Sequence, residues 1–402
     1  MQERLFEIYT EIMMQKIFLC LLLILILPDI FIYKIYISNI QVNTLTKYLY
    51  FIPSCLLLAG LVYLFYFTSH DEVIERNQLV GWFVMVYFIF ALPKLTFTLI
   101  SIFDLPLGYF LKRSFTPFTY VGFTAAVIWV GILVYGSIWG KTKFDIKPLT
   151  YQSPLIPKGF DGYKIVQLSD IHIGSWTGNG KALREAVELV NAQQPDLIVF
   201  TGDLINNKAT ELEGYEETLS RLSAKDGVYS ILGNHDYGPY YKWKNPEEQV
   251  ENLIALKQKE AKMGWIMLNN DHRILHHKGD SIALIGVENW GEPPFSGKGD
   301  LKTALTGTEG IPFKLLLSHN PSHWKKKVLP ESDVALTLSG HTHGMQLAFG
   351  NHSLSSLIYP QWGGIYTQKG KSLYVNVGLG FLGLPFRFGA WPEISVIILR
   401  SK

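Results

Sequence analysis

Four apolar runs constrain this chain more than any other feature. They cover Ile17–Ile37, Tyr48–Phe67, Leu79–Phe103 and Phe118–Trp139. Each is close to the ~20 residues that carry a helix across a bilayer. In hydrocarbon each segment must satisfy its own backbone hydrogen bonds, so all four are predicted to be transmembrane helices. A cleavable signal peptide explains only the first run. Buried helices of a water-soluble domain would not give four such runs with polar connectors. Tyr48, Tyr50, Tyr66, Trp82, Tyr120 and Trp139 crowd the run ends as an interfacial belt. Asp29, Lys34 and Lys94 are the charged exceptions, and intramembrane charges are functional candidates by default. Lys34 lies near a run end and can reach the headgroups. Asp29 follows Pro28, where a kink or stop is expected. No repeat symmetry or pair of broken helices supports transport.

The first third is a different material from the rest. Up to Gly140 there are 8 of the 36 Lys/Arg, 8 of the 34 Asp/Glu and one of the 11 His. Both cysteines, Cys20 and Cys55, fall there, so no disulfide framework holds the remainder. Net charge is +2, which gives no strong pull on nucleic acid, and none is expected as a partner. Three regions follow: a four-helix transmembrane region at 1–140, a linker at 141–159 carrying Pro148, Pro154 and Pro157, and a soluble domain at 160–402. Arg4, Lys16, Arg76, Lys141, Lys143 and Lys147 share one side of the bilayer. Lys47, Lys112 and Arg113 lie on the other, with Lys34 arguable. The bias places the soluble domain in the cytoplasm of an integral, multi-pass protein.

In the soluble part, helices and strands alternate. Helices are expected at Lys181–Ala192, Glu211–Leu222 and Asn245–Met263. The last has Asn245 as cap, Pro246 in its first turn, and Gly264 after its end. Short strands dominate from Trp265 onward: Trp265–Leu268, Arg273–His276, Ile282–Gly286, Phe313–Leu317, Val334–Leu338, Leu373–Val377 and Ile394–Leu399. This order fits two sheets packed face to face with helices outside.

Five apolar runs end in polar clusters. Tyr163–Leu168 leads to Ser169-Asp170-Ile171-His172, and Leu197–Phe200 to Gly202-Asp203. Val228–Leu232 leads to Gly233-Asn234-His235-Asp236, Phe313–Leu317 to Ser318-His319-Asn320, and Val334–Leu338 to Gly340-His341-Thr342-His343-Gly344. A lone Gly-Asp is usually a turn, and a lone Ser-His-Asn a loop. Five strand ends delivering Asp, Asn and His beside small residues are hard to explain by packing. Asp170 and His172, two apart on an extended chain, can face one way, and His341 and His343 repeat the spacing. Such a donor set suits divalent metals.

The blocks D-x-H, G-D, G-N-H-D, a lone His and G-H-x-H, in this order, resemble the calcineurin-like metallophosphoesterase superfamily over roughly Gly159–Leu399. Within it the chain is similar to the bacterial membrane-associated branch, whose first block reads like IVQLSDIHIG and whose end reads like LYVNVGLGFLGLPFRFGAWPEI. The resemblance implies a four-layer (α-β-β-α) sandwich behind the transmembrane helices, and two divalent ions. Asp170, His172 and His343 would hold one; Asn234, His319 and His341 would hold the other; Asp203 would bridge them. A water between the ions would become the attacking hydroxide, with ions about 3.5–4 Å apart neutralising the phosphate. His235 would serve as general acid or charge stabiliser, oriented by Asp236. The branch favours Mn²⁺, with Fe, Zn²⁺ or Mg²⁺ as alternatives. His272, His276, His277, His323 and His352 match no block and read as surface or loop residues.

Two further stretches are expected to shape access. Tyr237–Trp243 (YGPYYKW) follows His235. Gly378–Trp391 (GLGFLGLPFRFGAW) is apolar and Gly-rich, and reads as a packed loop or as a rim that dips into the membrane, with Arg387 poised for a phosphate or headgroup. A membrane anchor has little purpose without a membrane substrate. The expectation is therefore a phosphohydrolase of the bacterial inner membrane that cleaves a phosphodiester or diphosphate bond in a lipid or lipid-linked compound. Diphosphatases of lipid A synthesis share the superfamily. The alternatives are a soluble nucleotide-type diester as substrate, or a transporter or sensor carrying an inactive phosphoesterase domain.

Overall fold

The computed structural model describes residues 2–68, 77–111, 116–176, 178, 180–291 and 297–402; side chains at 2–13, 77 and 111 are not described. Arg76, Lys112 and Arg113 of the orientation argument, and the side chain of Arg4, lie outside these. The chain forms two compact units, Met1–Ile138 and Trp139–Lys402.

The first unit holds α1 (Gln2–Ile32), α2 (Thr44–Leu49), α3 (Ile52–Tyr66), α4 (Asn77–Ser101), α5 (Asp104–Leu111) and α6 (Pro117–Ile138). Together they give four segments long and apolar enough to cross a membrane: Met14–Ile37, Thr44–Tyr66, Gln78–Phe110 and Pro117–Thr142. Pro28 does not stop α1, which continues into a π turn at Tyr33–Ile37. Large apolar side chains such as Leu56, Phe123 and Ile128 face outward. Leu25, Leu57, Leu61, Tyr87 and Ala91 pack inward. A cluster of polar groups inside is mutually bonded, as a medium without water favours. Lys94 Nζ lies 2.7 Å from Asp29 Oδ1 and donates to Ser54 Oγ at 2.8 Å. The Tyr50 hydroxyl donates to the same Asp29 oxygen at 2.8 Å. Asp104 accepts from the backbone of Phe118 and Thr119, fastening the start of α6.

The second unit is the expected four-layer sandwich. One sheet contains β1 (Asp145–Ser153), β2 (Lys164–Leu168), β3 (Leu197–Phe200), β4 (Val228–Ser230), β5 (Trp265–Met267) and β14 (Glu393–Ser401), in the order β1-β14-β2-β3-β4-β5. The other contains β6 (Asp271–His277), β7 (Asp280–Gly286), β8 (Lys314–Leu317), β9 (Leu336–Ser339), β12 (Gly364–Gln368) and β13 (Lys371–Val375), in the order β12-β13-β9-β8-β7-β6. A two-residue ribbon, β10 (Ala348–Phe349) with β11 (His352–Ser353), stands apart. The core between the sheets holds Ile165, Val199, Leu284, Leu315, Leu336 and Ile397. Helices α7 (Gly180–Ala192) and α9 (Pro246–Lys262) bury Leu183, Val187 and Leu256 against the outer face of the first sheet. Strands buried on both faces read as unbroken apolar runs, which is why β3 and β8 are legible.

Two expectations are corrected. Residues 145–153 of the expected linker form β1, which pairs in parallel with β14 along its whole length. Pro148 fits because β1 is an edge strand, where a missing N–H is tolerated. Glu211–Leu222 is not one helix: Ala209–Leu212 is a 3₁₀ turn and Glu216–Leu219 a single turn, α8, with Gly214 at φ +84° between them. The helix after Asn245 stands as expected, with the Asn245 side chain accepting from Glu248 N at 2.8 Å.

Candidate metal centre

The five clusters meet where β2, β3, β4, β8 and β9 end. The pairs β2/β3, β3/β4 and β8/β9 are parallel, so their carboxyl ends share an edge, the usual place for a ligand in such sheets. Gln167 ties the two sheets together there, its amide donating to Ser339 O at 2.9 Å and Thr201 Oγ1 at 3.1 Å.

The convergence does not come from pleat alternation. Asp170 (φ 50°), His172 (47°), Asp203 (60°), His341 (75°) and His343 (50°) all take the left-handed conformation. Non-glycine residues avoid it at a cost of about 1–3 kcal/mol each where the site is strained. Neighbouring glycines make room. A Cβ at Gly233 would lie 2.1 Å from Asp203 Oδ1, and one at Gly340 would lie 2.2 Å from Asp170 Oδ2.

All seven expected ligand residues are brought together. His343 Nε2 lies 3.3 Å from Asp170 Oδ1 and 3.0 Å from His172 Nε2. His319 Nε2 lies 3.1 Å from Asp203 Oδ2, 3.2 Å from Asn234 Oδ1 and 3.1 Å from His341 Nδ1. Asp203 Oδ2 also lies 3.6 Å from His172 Nε2, between the two groups. Asp170/His172/His343 and Asp203/His319/His341 could each hold an ion, and His172/Asp203/His235 forms a third such group.

The donor set fits divalent cations. His319 Nδ1–H donates to Thr201 O at 2.7 Å, leaving the Nε2 lone pair aimed at Asn234 Oδ1, Asp203 Oδ2 and His341 Nδ1. That outward hydrogen bond fixes the tautomer a metal needs. With Nδ1 as the protonated nitrogen, the His319 Nε2 lone pair meets the Asn234 and Asp203 oxygens with no hydrogen between them, and a cation resolves the conflict. Without it, charge must come from protons. Burial opposes charge on His319, yet the Asp203 and Asp170 carboxylates raise its pKa to about 9. Burial and the neighbouring His319 lower His341 to about 3. Against their own burial, His343 and His319 hold the carboxyls of Asp170 and Asp203 well below the usual range.

His235 lies at the rim, its ring 4.8 Å from that of His172, and is oriented by the Asn206 carbonyl, which accepts from Nδ1 at 2.8 Å. The expected Asp236–His235 contact is replaced. Asp236 accepts four backbone N–H groups, from Asp203 and Gly233 at 2.8 Å on Oδ2 and from Leu204 at 2.8 Å and Ile205 at 3.2 Å on Oδ1. It fastens the Asp203 turn to the Asn234 turn. Burial and the Asp203 carboxylate raise its pKa to about 7, while the Gly233 and Ile205 donors pull it down.

Arg387 is also corrected. It is wholly buried and meets no solvent-borne phosphate. It donates to the carbonyls of Gly380 (2.6 Å), Ala390 (2.9 Å) and Val377 (2.9 Å), and Nη2 lies 3.0 Å from His343 Nδ1. Phe381 and Phe386 are buried too, so Gly378–Trp391 is a packed loop. His323 is a buried residue: its Nδ1 lies 2.9 Å from Ser318 Oγ and its ring stacks on Trp290. Two tyrosines line the site. Tyr240 accepts from Asn234 Nδ2 at 3.0 Å and covers the His235 ring at 4.5 Å, as the aromatic run after His235 suggested. Tyr359 Oη lies 2.8 Å from His341 Nε2, and no local pattern in the sequence announces it.

Two packed sheets with Asp, His and Asn donors at their joined carboxyl edge define a metal-dependent phosphoesterase. The chain belongs to the calcineurin-like metallophosphoesterases. Residues 163–345 match the family described as Calcineurin-like phosphoesterase, and residues 14–141 match the one described as Probable Calcineurin-like phosphoesterase, transmembrane domain. An uncharacterized metallophosphoesterase of Bacillus subtilis, YkuE, is 35% identical, over 63% of this chain and 84% of that one. An uncharacterized metallophosphoesterase of Campylobacter jejuni is 29% identical over 95% of this chain and 97% of that one. A transmembrane protein with metallophosphoesterase domain from Danio rerio is 32% identical over 69% of this chain, which spans 62% of its length.

Proposed function

We propose that this membrane-anchored metallophosphoesterase uses two metal ions to hydrolyse a phosphodiester or diphosphate bond in a lipid or lipid-linked substrate. The observation that carries the reading is Asp203 Oδ2, placed 3.6 Å from His172 Nε2 and 3.1 Å from His319 Nε2, a single carboxylate oxygen between two groups of nitrogen donors. Asp170, His172 and His343 would hold one ion, Asn234, His319 and His341 the other, and Asp203 both. Mn²⁺ is the favoured metal. The ions would supply phosphate charge neutralisation and lower the pKa of bound water toward neutrality. His235 stands at the rim with its Nδ1–H on Asn206 O, so its Nε2 is free to exchange a proton with the leaving oxygen. Asp236 holds the backbone that carries Asp203. The excess of basic residues beside the first, third and fifth polar segments supports a cytoplasmic site on a bacterial inner membrane.

The test is hydrolysis of bis(p-nitrophenyl) phosphate by the detergent-purified chain with and without Mn²⁺, beside Asp203→Asn. Metal-dependent turnover that the variant loses supports the reading. Absence of both turnover and bound metal would favour a sensor with an inactive domain.

A further inference from the structure

Eleven large apolar side chains beyond residue 144 are exposed among the described residues. Leu155, Val250, Ile254 and Ile266 are scattered, while seven fall between Met345 and Leu382. Leu357 is 82% exposed, Ile358 61% and Leu354 59%. A concentration of this kind in water marks an interaction surface. The segment is well fastened. Ser353 Oγ donates to Gly344 O at 2.6 Å, Tyr359 N to Ser355 O at 2.7 Å, and Leu382 N to Gln346 Oε1 at 2.7 Å.

The surface joins two places that matter. At one end Ile358 precedes Tyr359, whose hydroxyl lies 2.8 Å from His341 Nε2. At the other end the ring of Phe349 lies 5.9 Å from that of Phe388, and Phe388 lies 5.4 Å from Trp391. Lys143 Nζ sits 4.3 Å above the Trp391 ring, and Lys141 Nζ 5.8 Å from the Phe381 ring. The fourth span runs Pro117–Thr142 and β1 begins at Asp145, so chain continuity holds Lys141 and Lys143 at the bilayer surface.

We propose that the face formed by Met345, Phe349, Leu354, Leu357, Ile358 and Leu382 docks on the lipid bilayer, and that an amphiphilic phosphate ester reaches the metal centre along it, acyl chains in the membrane and phosphate toward Tyr359 and His341. The second half of this statement rests on the phosphohydrolase reading. The spans already hold the domain at the membrane, so the face meets lipid at high effective concentration and a modest affinity suffices. Lys141 and Lys143 complement anionic headgroups beside it.

The full chain in nanodiscs of phosphatidylcholine and phosphatidylglycerol, at about three to one to supply anionic lipid, tests both halves. A nitroxide at Leu357→Cys, with Cys20 and Cys55 replaced by Ala, is expected to collide with oxygen in preference to a water-soluble nickel complex. A nitroxide at exposed Val250→Cys is expected to do the reverse. Equal nickel access at both sites overturns docking. In the same discs, Leu357→Glu with Ile358→Glu is expected to lower kcat/KM for phosphatidyl-p-nitrophenol about tenfold, by removing interfacial apolar contact. Turnover of bis(p-nitrophenyl) phosphate should stay within about twofold, since neither side chain belongs to the metal centre. An unchanged ratio of the two rates overturns the delivery role. If the unmodified chain cleaves neither compound, the phosphohydrolase reading and the delivery role fall together, while the nitroxide still decides docking.

Discussion

Arg387 Nη2 lies 3.0 Å from His343 Nδ1, and both residues are buried. A guanidinium can only donate, so His343 Nδ1 is the acceptor and the neutral ring carries its hydrogen on Nε2. That nitrogen faces His172 Nε2 and Asp170 Oδ1. Arg387 also spans three carbonyls of the loop, so one side chain fixes both loop and ring.

Arg387→Met is therefore expected to weaken metal binding by about 10–100-fold, the usual effect of removing a group that orients a ligand. Unchanged affinity would show that the contact is packing alone.

Asp236 and His235, neighbours in sequence, should separate in their effects. Asp236→Asn turns an amide group toward backbone N–H donors and is expected to cost about 2–3 kcal/mol through the donors left unsatisfied. Thermal melting should fall and metal content with it. His235→Gln removes a rim side chain and should leave melting and metal content unchanged while lowering kcat about 10²–10⁴-fold if it transfers the proton. Equal melting for the two variants would contradict the assigned roles.

The candidate ligand residues were legible because each lies just past a doubly buried strand, and such strands read as short apolar runs bounded by Gly and polar residues. What holds the ligands was not. Asp236 acts on backbone N–H groups up to 33 positions away. Arg387 reaches His343 from 44 positions downstream, and Tyr359 reaches His341 across an 18-residue excursion. Side-chain bonds across loops leave no periodic trace. The left-handed turns at Asp170, His172, His341 and His343 were hidden too, because Gly announces that conformation, whereas Asp and His adopt it only in a minority of their positions. β1 was missed because Pro148 argues against a strand everywhere except at an edge.

Glu260 gives a pH prediction. It is buried on α9, accepts from Ser230 Oγ at 2.5 Å, and burial together with the Asp236 carboxylate raises its pKa to about 8. The unfolded chain ionises this group near its ordinary 4.5. Between these values the unfolded state has lost a proton that the folded state keeps, so stability declines as pH rises through that window and levels off above about 8. Glu260→Gln cannot ionise and is expected to flatten the dependence, melting higher than the unmodified chain at pH 8 relative to their difference at pH 5. Parallel melting curves across that range would show that Glu260 is not protonated in the fold.

The ion pair within the spans predicts a compensation. Asp29 and Lys94 come from α1 and α4 and meet with Tyr50 and Ser54 away from water. Removing one partner strands the other charge in a medium that solvates it poorly. Lys94→Met alone is expected to destabilise the spans by about 3–5 kcal/mol. Asp29→Asn combined with Lys94→Met removes both charges while the Tyr50 hydroxyl keeps an acceptor, and should recover most of that loss. Melting in detergent, followed through the spans' own aromatic side chains, measures both. Hydrolysis of a soluble diester by the double variant reports separately on the phosphoesterase unit. Recovered stability with full hydrolysis makes the pair a structural tie. Recovered stability with hydrolysis lost would give it a role in the reaction that its distance in sequence from every metal-ligand candidate does not suggest.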